Sequence, residues 1–195
     1  IYLLTDKETS LLCKPQLNNY SYLKDAREIV IGAGDVYKTL NTLQEVWTVL
    51  SATGATRHSL LINLGGGMVT DLGGFAAATF KRGIQYINIP TTLLSMVDAA
   101  VGGKTGINFN GLKNEIGVFA PASTVIIDTD FLRTLDDKNF FSGYAEMLKH
   151  GLISTEEHWK EILSFDTEKI NYDELKKLVG KSVSIKEDIV AKDPY

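Results

Sequence analysis

Glu146, Lys149 and His150 are separated by three and four positions, the spacing that puts side chains on one face of a helix. A carboxylate and an imidazole so placed offer two ligands to zinc, and equally an intrahelical salt bridge. Catalytic zinc takes at least three protein ligands, so the pair alone does not make a metal centre. His58, ahead of a strand-like run, and His158, on a polar helical stretch, read as surface residues.

The run Asp98-Ala99-Ala100-Val101-Gly102-Gly103-Lys104-Thr105 sets an acid and a lysine around a glycine pair. Its Gly-Lys-Thr end is half of a P-loop, but G-x-x-x-x-G-K-[ST] needs glycine where Asp98 stands, which excludes that assignment. Lys113-Asn114 follows nine residues after Lys104. Two lysines converging on a glycine-rich site suit a phosphorylated, acidic substrate; apart, they are ordinary surface residues.

Eleven of the 17 glycines fall between Gly65 and Gly117, beginning with Gly65-Gly66-Gly67 at the end of one apolar run and the mouth of a helical pattern. Glycines there let backbone amides approach a phosphate drawn by the helix N-terminus, although the spacing is not G-x-G-x-x-G and also fits a tight turn. Asp71 then either hydrogen-bonds a nucleotide or complements the helix dipole. Arg82, beside Gly83, is a helix-terminal cation or an anion ligand. Thr91 and Thr92, after Pro90, are caps or ligand contacts at a strand's carboxyl end, where open α/β sheets bind ligands.

Elements must hold these residues in place. Ile1–Leu4, Glu28–Ile31, Leu60–Leu64, Gln85–Ile89 and Thr124–Ile127 are short apolar runs of the kind that form buried parallel strands. Val36, Leu40, Leu43, Val46, Trp47 and Leu50 recur at helical spacing and stop before Gly54. A second helix is expected from about Met68 to Phe80. After about Asp130 the strand-like runs give way to helical patterns at Phe140–Leu152, Glu156–Phe165 and Tyr172–Ala191. The expected architecture is α/β, a Rossmann-like parallel sheet over residues 1–130 followed by the beginning of an all-α domain over 131–195.

Composition removes whole classes of function. At 195 residues, 44% hydrophobic and 23% charged, the chain is neither disordered nor fibrous. A net charge of −4 gives no basic field for nucleic acid, and no apolar run is long enough for a membrane span. Cys13 is the single cysteine, which leaves no disulfide framework and fits a reducing, cytoplasmic setting. The opening Ile1-Tyr2-Leu3-Leu4 and the closing Ala191-Lys192-Asp193-Pro194-Tyr195, at a Pro-marked turn, both read as truncations.

Taken in order, Gly65-Gly66-Gly67-Met68-Val69-Thr70-Asp71, Gly74-Phe75-Ala76-Ala77, Lys81-Arg82-Gly83, Pro90-Thr91-Thr92-Leu93-Leu94, Val97-Asp98, Gly102-Gly103-Lys104-Thr105-Gly106, Lys113-Asn114-Glu115-Ile116-Gly117 and Ser142-Gly143-Tyr144-Ala145-Glu146-Met147-Leu148-Lys149 resemble the 3-dehydroquinate synthase family. The resemblance implies an enzyme that converts 3-deoxy-D-arabino-heptulosonate 7-phosphate to 3-dehydroquinate and phosphate. It implies transient oxidation by NAD, phosphate elimination, reduction and aldol closure, with zinc or cobalt as Lewis acid. A homodimer with a small sugar-phosphate substrate is expected.

Carried over by position, the resemblance assigns Gly67, Met68, Val69, Thr70 and Asp71 to the NAD pyrophosphate region. Thr91, Thr92, Lys104 and Lys113 line the cofactor cleft, and Phe131, Leu132, Arg133 and Thr134 border it. Gly34, Asp35 and Lys38 match an earlier cofactor loop, which departs from the family's Asp-Gly-Glu in having Ala33 and Asp35. Glu146 is the one metal ligand of this segment. Asp98, Lys104, Asn114 and Lys149 reach the substrate, and Arg82 reaches phosphate across a dimer contact. The family's two ligand histidines are absent from this stretch, so the 195-residue chain alone is expected to be inactive. A cyclase for another sugar phosphate, a polyol dehydrogenase and a non-catalytic dinucleotide-binding module are the competing expectations.

Overall fold

The computed structural model describes residues 1–193, so the Pro194-Tyr195 turn lies outside the described residues. Five strands, β1 (Tyr2–Asp6), β2 (Arg27–Ile31), β3 (Leu60–Gly65), β4 (Gln85–Pro90) and β7 (Thr124–Val125), form one parallel sheet in the order β2-β1-β3-β4-β7. Four of these match the expected apolar runs closely; β7 is shorter than Thr124–Ile127. Strand order reverses beside β1, and in such sheets the crevice at the carboxyl ends of the strands is the ligand site.

Both faces of the sheet are buried, the condition that uninterrupted apolar strands require. Alternate residues divide between them. Tyr2, Leu4 and Leu61 pack on one face with Leu43, Val46 and Leu50 of α2 (Leu40–Ala52) and Val69 and Leu72 of α3 (Gly67–Thr79). Leu3, Ile62, Leu64 and Ile89 pack on the other with Phe140 and Met147 of α4 (Asp137–Ile153) and Leu175 and Val179 of α6 (Tyr172–Lys192). The helical segment therefore completes the core of the sheet.

Helix ends follow local chemistry. Thr39 caps α2, and Gly54, at φ +80°, follows its end. Val36, expected in the apolar stripe of α2, instead stands 79% exposed in a 3₁₀ turn before it. Asp6 ends β1 and caps the short α1 (Lys7–Leu12), accepting from Glu8 N at 2.9 Å and Thr9 N at 2.8 Å. The sequence reading did not anticipate α1.

The larger surprise is an antiparallel hairpin, β5 (Lys104–Phe109) and β6 (Leu112–Phe119), inside the glycine-rich region. Its two-residue turn is Asn110-Gly111, both at positive φ, as a type I′ turn demands. Glycine is obligatory in its ladder: a Cβ on Gly117 would lie 2.0 Å from the Thr105 carbonyl oxygen. Between β4 and β5, the chain from Ser95 to Ala99 makes one π-helical turn, with Ala100 N bonded to Ser95 O at 3.0 Å. Among the described residues, no strand follows Val125 and no helix is long and apolar enough to cross a membrane.

Candidate functional site

The carboxyl ends of β1, β3 and β4 open into a cavity of about 430 Å³ whose walls include Asp6, Gly34, Asp35, Lys38, Gly66, Gly67, Met68, Asp71, Thr91, Thr92 and Thr134. The first turn of α3 faces it with Gly66 as N-cap and no side-chain cap, so that the helix presents unmet amides and its positive dipole end. A Cβ at Gly66 would meet Thr92 Cγ2 at 3.0 Å, and one at Gly67 would meet Ala99 Cβ at 3.1 Å. Side chains there would fill the space over the helix end. First-turn amides and a glycine cradle fit a pyrophosphate. Of the nearby assigned residues, Val69 and Thr70 are buried in the helix body, with Thr70 Oγ1 bonded to Gly67 O at 3.1 Å.

Lys38 is buried in the wall of this cavity. Its buried ammonium donates to Asp71 Oδ2 at 2.6 Å and also to Asn114 Oδ1 on β6. Burial pushes the Asp71 carboxyl up from its ordinary value, and Lys38 pulls it back. Lys113, exposed, pairs with Asp35 at 3.2 Å.

A second cavity of about 470 Å³ adjoins the first, sharing Asp71 and Ala99, and is walled by Asp98, Lys104, Asn114 and Lys186 among others. Asp98 reaches it from the π turn, and Lys186 of α6 donates to Asp98 Oδ1 at 2.6 Å. Sequence reasoning passed over Lys186. Its signal was weak, one lysine among several on a charged helix, and only the packing of α6 against the π turn singles it out.

Glu146, Lys149 and His150 do share a face of α4. Glu146 Oε1 accepts from Lys149 Nζ and lies 3.4 Å from His150 Nε2. Burial lowers the His150 pKa, Glu146 and Asp98 raise it and Lys149 and Lys186 lower it further; α4 packs against both the π turn that carries Asp98 and α6 that carries Lys186. No three His, Cys, Asp or Glu residues among those described stand together as a metal site. These residues therefore offer a divalent cation one carboxylate, not a centre.

Other expected residues fall elsewhere. Of Phe131–Thr134, Thr134 lines the first cavity, whereas Phe131 and Leu132 bury their side chains in the core and Arg133 stacks on Tyr172 at 4.1 Å. Thr91 is buried and lines the first cavity; Thr92 caps the turn below it, its Oγ1 2.9 Å from Ser95 Oγ. Arg82 is exposed at φ +69°, at the far end of α3, and lines neither cavity. His58 is exposed as expected, but His158 is 5% exposed, because it shares the inner face of α5 (Glu156–Ser164) with Ile162.

Comparison with known proteins gives a consistent result. The family model for the 3-dehydroquinate synthase N-terminal region matches residues 28–142, and that for the C-terminal region matches residues 143–195. The 3-dehydroquinate synthase of Parabacteroides distasonis is 57% identical over 194 residues, covering 100% of this chain and 55% of the relative. The chain spans about half the length of the curated relatives it matches. Among solved structures, the 2-epi-5-epi-valiolone synthase ValA of Streptomyces hygroscopicus subsp. jinggangensis 5008, with NAD+ and Zn2+ bound, superposes at a TM-score of 0.90 with 30% identity, over 98% of this chain and 55% of that one. A 2-deoxy-scyllo-inosose synthase complexed with carbaglucose-6-phosphate, NAD+ and Co2+ superposes at 0.87 with 25% identity, over 100% and 55%.

Proposed function

This chain belongs to the 3-dehydroquinate synthase family, and from that premise we propose that its two adjoining cavities are the cofactor and substrate halves of a carbon–oxygen lyase, a cytoplasmic homodimer that converts 3-deoxy-D-arabino-heptulosonate 7-phosphate to 3-dehydroquinate. The observation that carries the proposal is the shared wall. A glycine-cradled helix end and a cluster of three acids, two lysines and an amide meet at Asp71 and Ala99. Residues 1–130 form the cofactor-binding part and 131–195 the start of the helical metal- and substrate-binding part.

NAD, when bound, supplies transient hydride acceptance from a substrate hydroxyl. The chain's own groups do the rest. Gly66, Gly67 and the α3 amides receive the pyrophosphate; Lys38, Asp71, Thr91, Thr92 and Thr134 shape the cleft around it. In the second cavity Lys186 fixes Asp98 Oδ1, which leaves Oδ2 to accept from a substrate hydroxyl. Asn114 Nδ2 donates to another. Lys104, Lys149 and Lys186 balance the substrate's carboxylate and phosphate, and preorganised cations of this kind act most strongly where charge develops. Glu146 contributes one carboxylate to a divalent cation. Arg82 serves the phosphate of the other protomer's site.

The test is phosphate release by the complete product of the encoding gene, supplied with the heptulosonate phosphate, NAD and zinc, with NADH absorbance followed together. Phosphate without lasting NADH is the expected result; lasting NADH would indicate a dehydrogenase instead. The likeness to ValA supports a second reading, a cyclase for another sugar phosphate, which phosphate release from heptulose 7-phosphates but not from the heptulosonate would favour.

A further inference from the structure

Asn108 lines neither cavity, yet it closes a ring that joins them. Its backbone N–H donates to the Lys38 carbonyl at 2.9 Å, and its Oδ1 accepts from the Asn114 backbone N–H at 3.0 Å. Asn114 Oδ1 in turn accepts from Lys38 Nζ. The Asn108 amide also donates to Asp35 Oδ2 at 3.3 Å.

The ring arises from a register mismatch. Ile107 pairs with Ile116 and Phe109 with Leu112, so the single residue Asn108 faces Lys113, Asn114 and Glu115. The surplus bulges out, and bulges re-aim side chains. Asn114 takes φ +54°, a left-handed conformation that asparagine tolerates better than most residues. Within the bulge its N–H has lost a strand partner, and the acceptor it finds is Asn108 Oδ1.

We infer that Asn108 is a positioning residue: it holds the bulge that delivers Asn114 to the second cavity and ties that bulge to Lys38, whose ammonium is shared with Asp71 on the cofactor side. The inference rests on the assignment of the two cavities proposed above. Its ring geometry does not depend on that assignment, so the two can fail separately.

The experiment is a double-mutant cycle on the complete gene product, with Asn108→Ala and Asn114→Gly made singly and together. Glycine is chosen at position 114 because it accepts φ +54° without strain. Each single variant is expected to lower kcat/KM for the phosphorylated substrate about tenfold, with the double no worse than Asn114→Gly alone. Independent losses that multiply to about a hundredfold would overturn the inference. Amide exchange followed by NMR reads the ring without turnover. Asn108→Ala should speed exchange at Asn114 and leave Ile107 unchanged; unchanged exchange at Asn114 would overturn the inference whatever the enzyme does. Faster exchange in a protein whose wild type releases no phosphate would support the positioning role and sink the functional reading. Asn108→Asp made together with Asp35→Asn keeps the acceptor and moves the amide donor to the other side of the pair, which guards against a misfolded alanine variant: it should keep Asn114 protected, and loss of that protection would overturn the inference.

Discussion

Lys38 Nζ lies 2.6 Å from Asp71 Oδ2 with the two side chains 6% and 19% exposed, at the wall where the two cavities meet. Removing one member of such a pair leaves the other charged group poorly hydrated and unpaired, which costs more than the pair contributes. Lys38→Met is therefore expected to destabilise the fold by about 2–3 kcal/mol at pH 7.

The same pair sets a pH dependence. Burial raises the Asp71 pKa above 3.8, so its stabilising contribution is full below that value and is lost as pH climbs through the raised one. Without Lys38 the raised value moves higher still. Urea melts should then show the deficit of Lys38→Met against wild type growing from pH 4 to pH 7; a deficit independent of pH would contradict this account.

Glu28 behaves in the opposite sense. Partial burial raises its pKa, but hydrogen bonds from Lys14, Ser10 and Thr5 outweigh this and bring it below 4.5. Its contribution is present above 4.5 and lost as pH falls through the lowered value. Glu28→Gln should cost about 1–2 kcal/mol at pH 7 and progressively less as pH falls below 4.5, flattening the acid limb of the stability profile.

Gly143 sits where α4 crosses the turn that carries Asp98. A Cβ there would lie 2.4 Å from Leu94 N and 2.6 Å from Leu93 Cβ, so α4 can only move outward. Gly143→Ala should lower stability by about 1–3 kcal/mol and, because Glu146 follows on the same helix, weaken zinc binding by the complete gene product as well. Thermal melts and a zinc competition titration check the two effects; normal zinc affinity in a destabilised protein would separate Gly143 from the metal ligand.

The parallel strands are legible because burial on both faces leaves uninterrupted apolar runs, as in Leu60–Leu64 and Gln85–Ile89. The hairpin is not, because β6 is exposed throughout and its alternation (Leu112, Ile116 and Val118 against Lys113 and Glu115) is broken by Asn114 and interspersed with glycines; its clearest local signal is Asn110-Gly111. Asp98, Lys104 and Asn114 can be named as polar residues in a glycine-rich region, but their convergence depends on the hairpin and the π turn. Lys186 lies 88 positions from Asp98 in sequence, and no local pattern joins them. His158 misleads for a different reason: its neighbours are charged, yet it lies one helical turn from Ile162 on the buried side.

Arg82 poses the last question, since it is proposed to meet phosphate but stands away from both cavities. The 13 residues of α3 separate the amide cradle at Gly67 from the Phe80–Arg82 turn by about 20 Å at the helical rise. Arg82 lines neither that cavity nor the adjoining substrate cavity, so it is expected to serve phosphate in another protomer's site. Arg82→Ala and Lys149→Ala proteins, each inactive alone, should then complement when their subunits are exchanged. Random exchange makes half the dimers mixed, each with one intact site, so the mixture should recover about a quarter of wild-type activity. Recovery near zero, with subunit exchange confirmed by mass spectrometry, would place Arg82 in its own protomer's site; full activity of Arg82→Ala alone would place it outside the site.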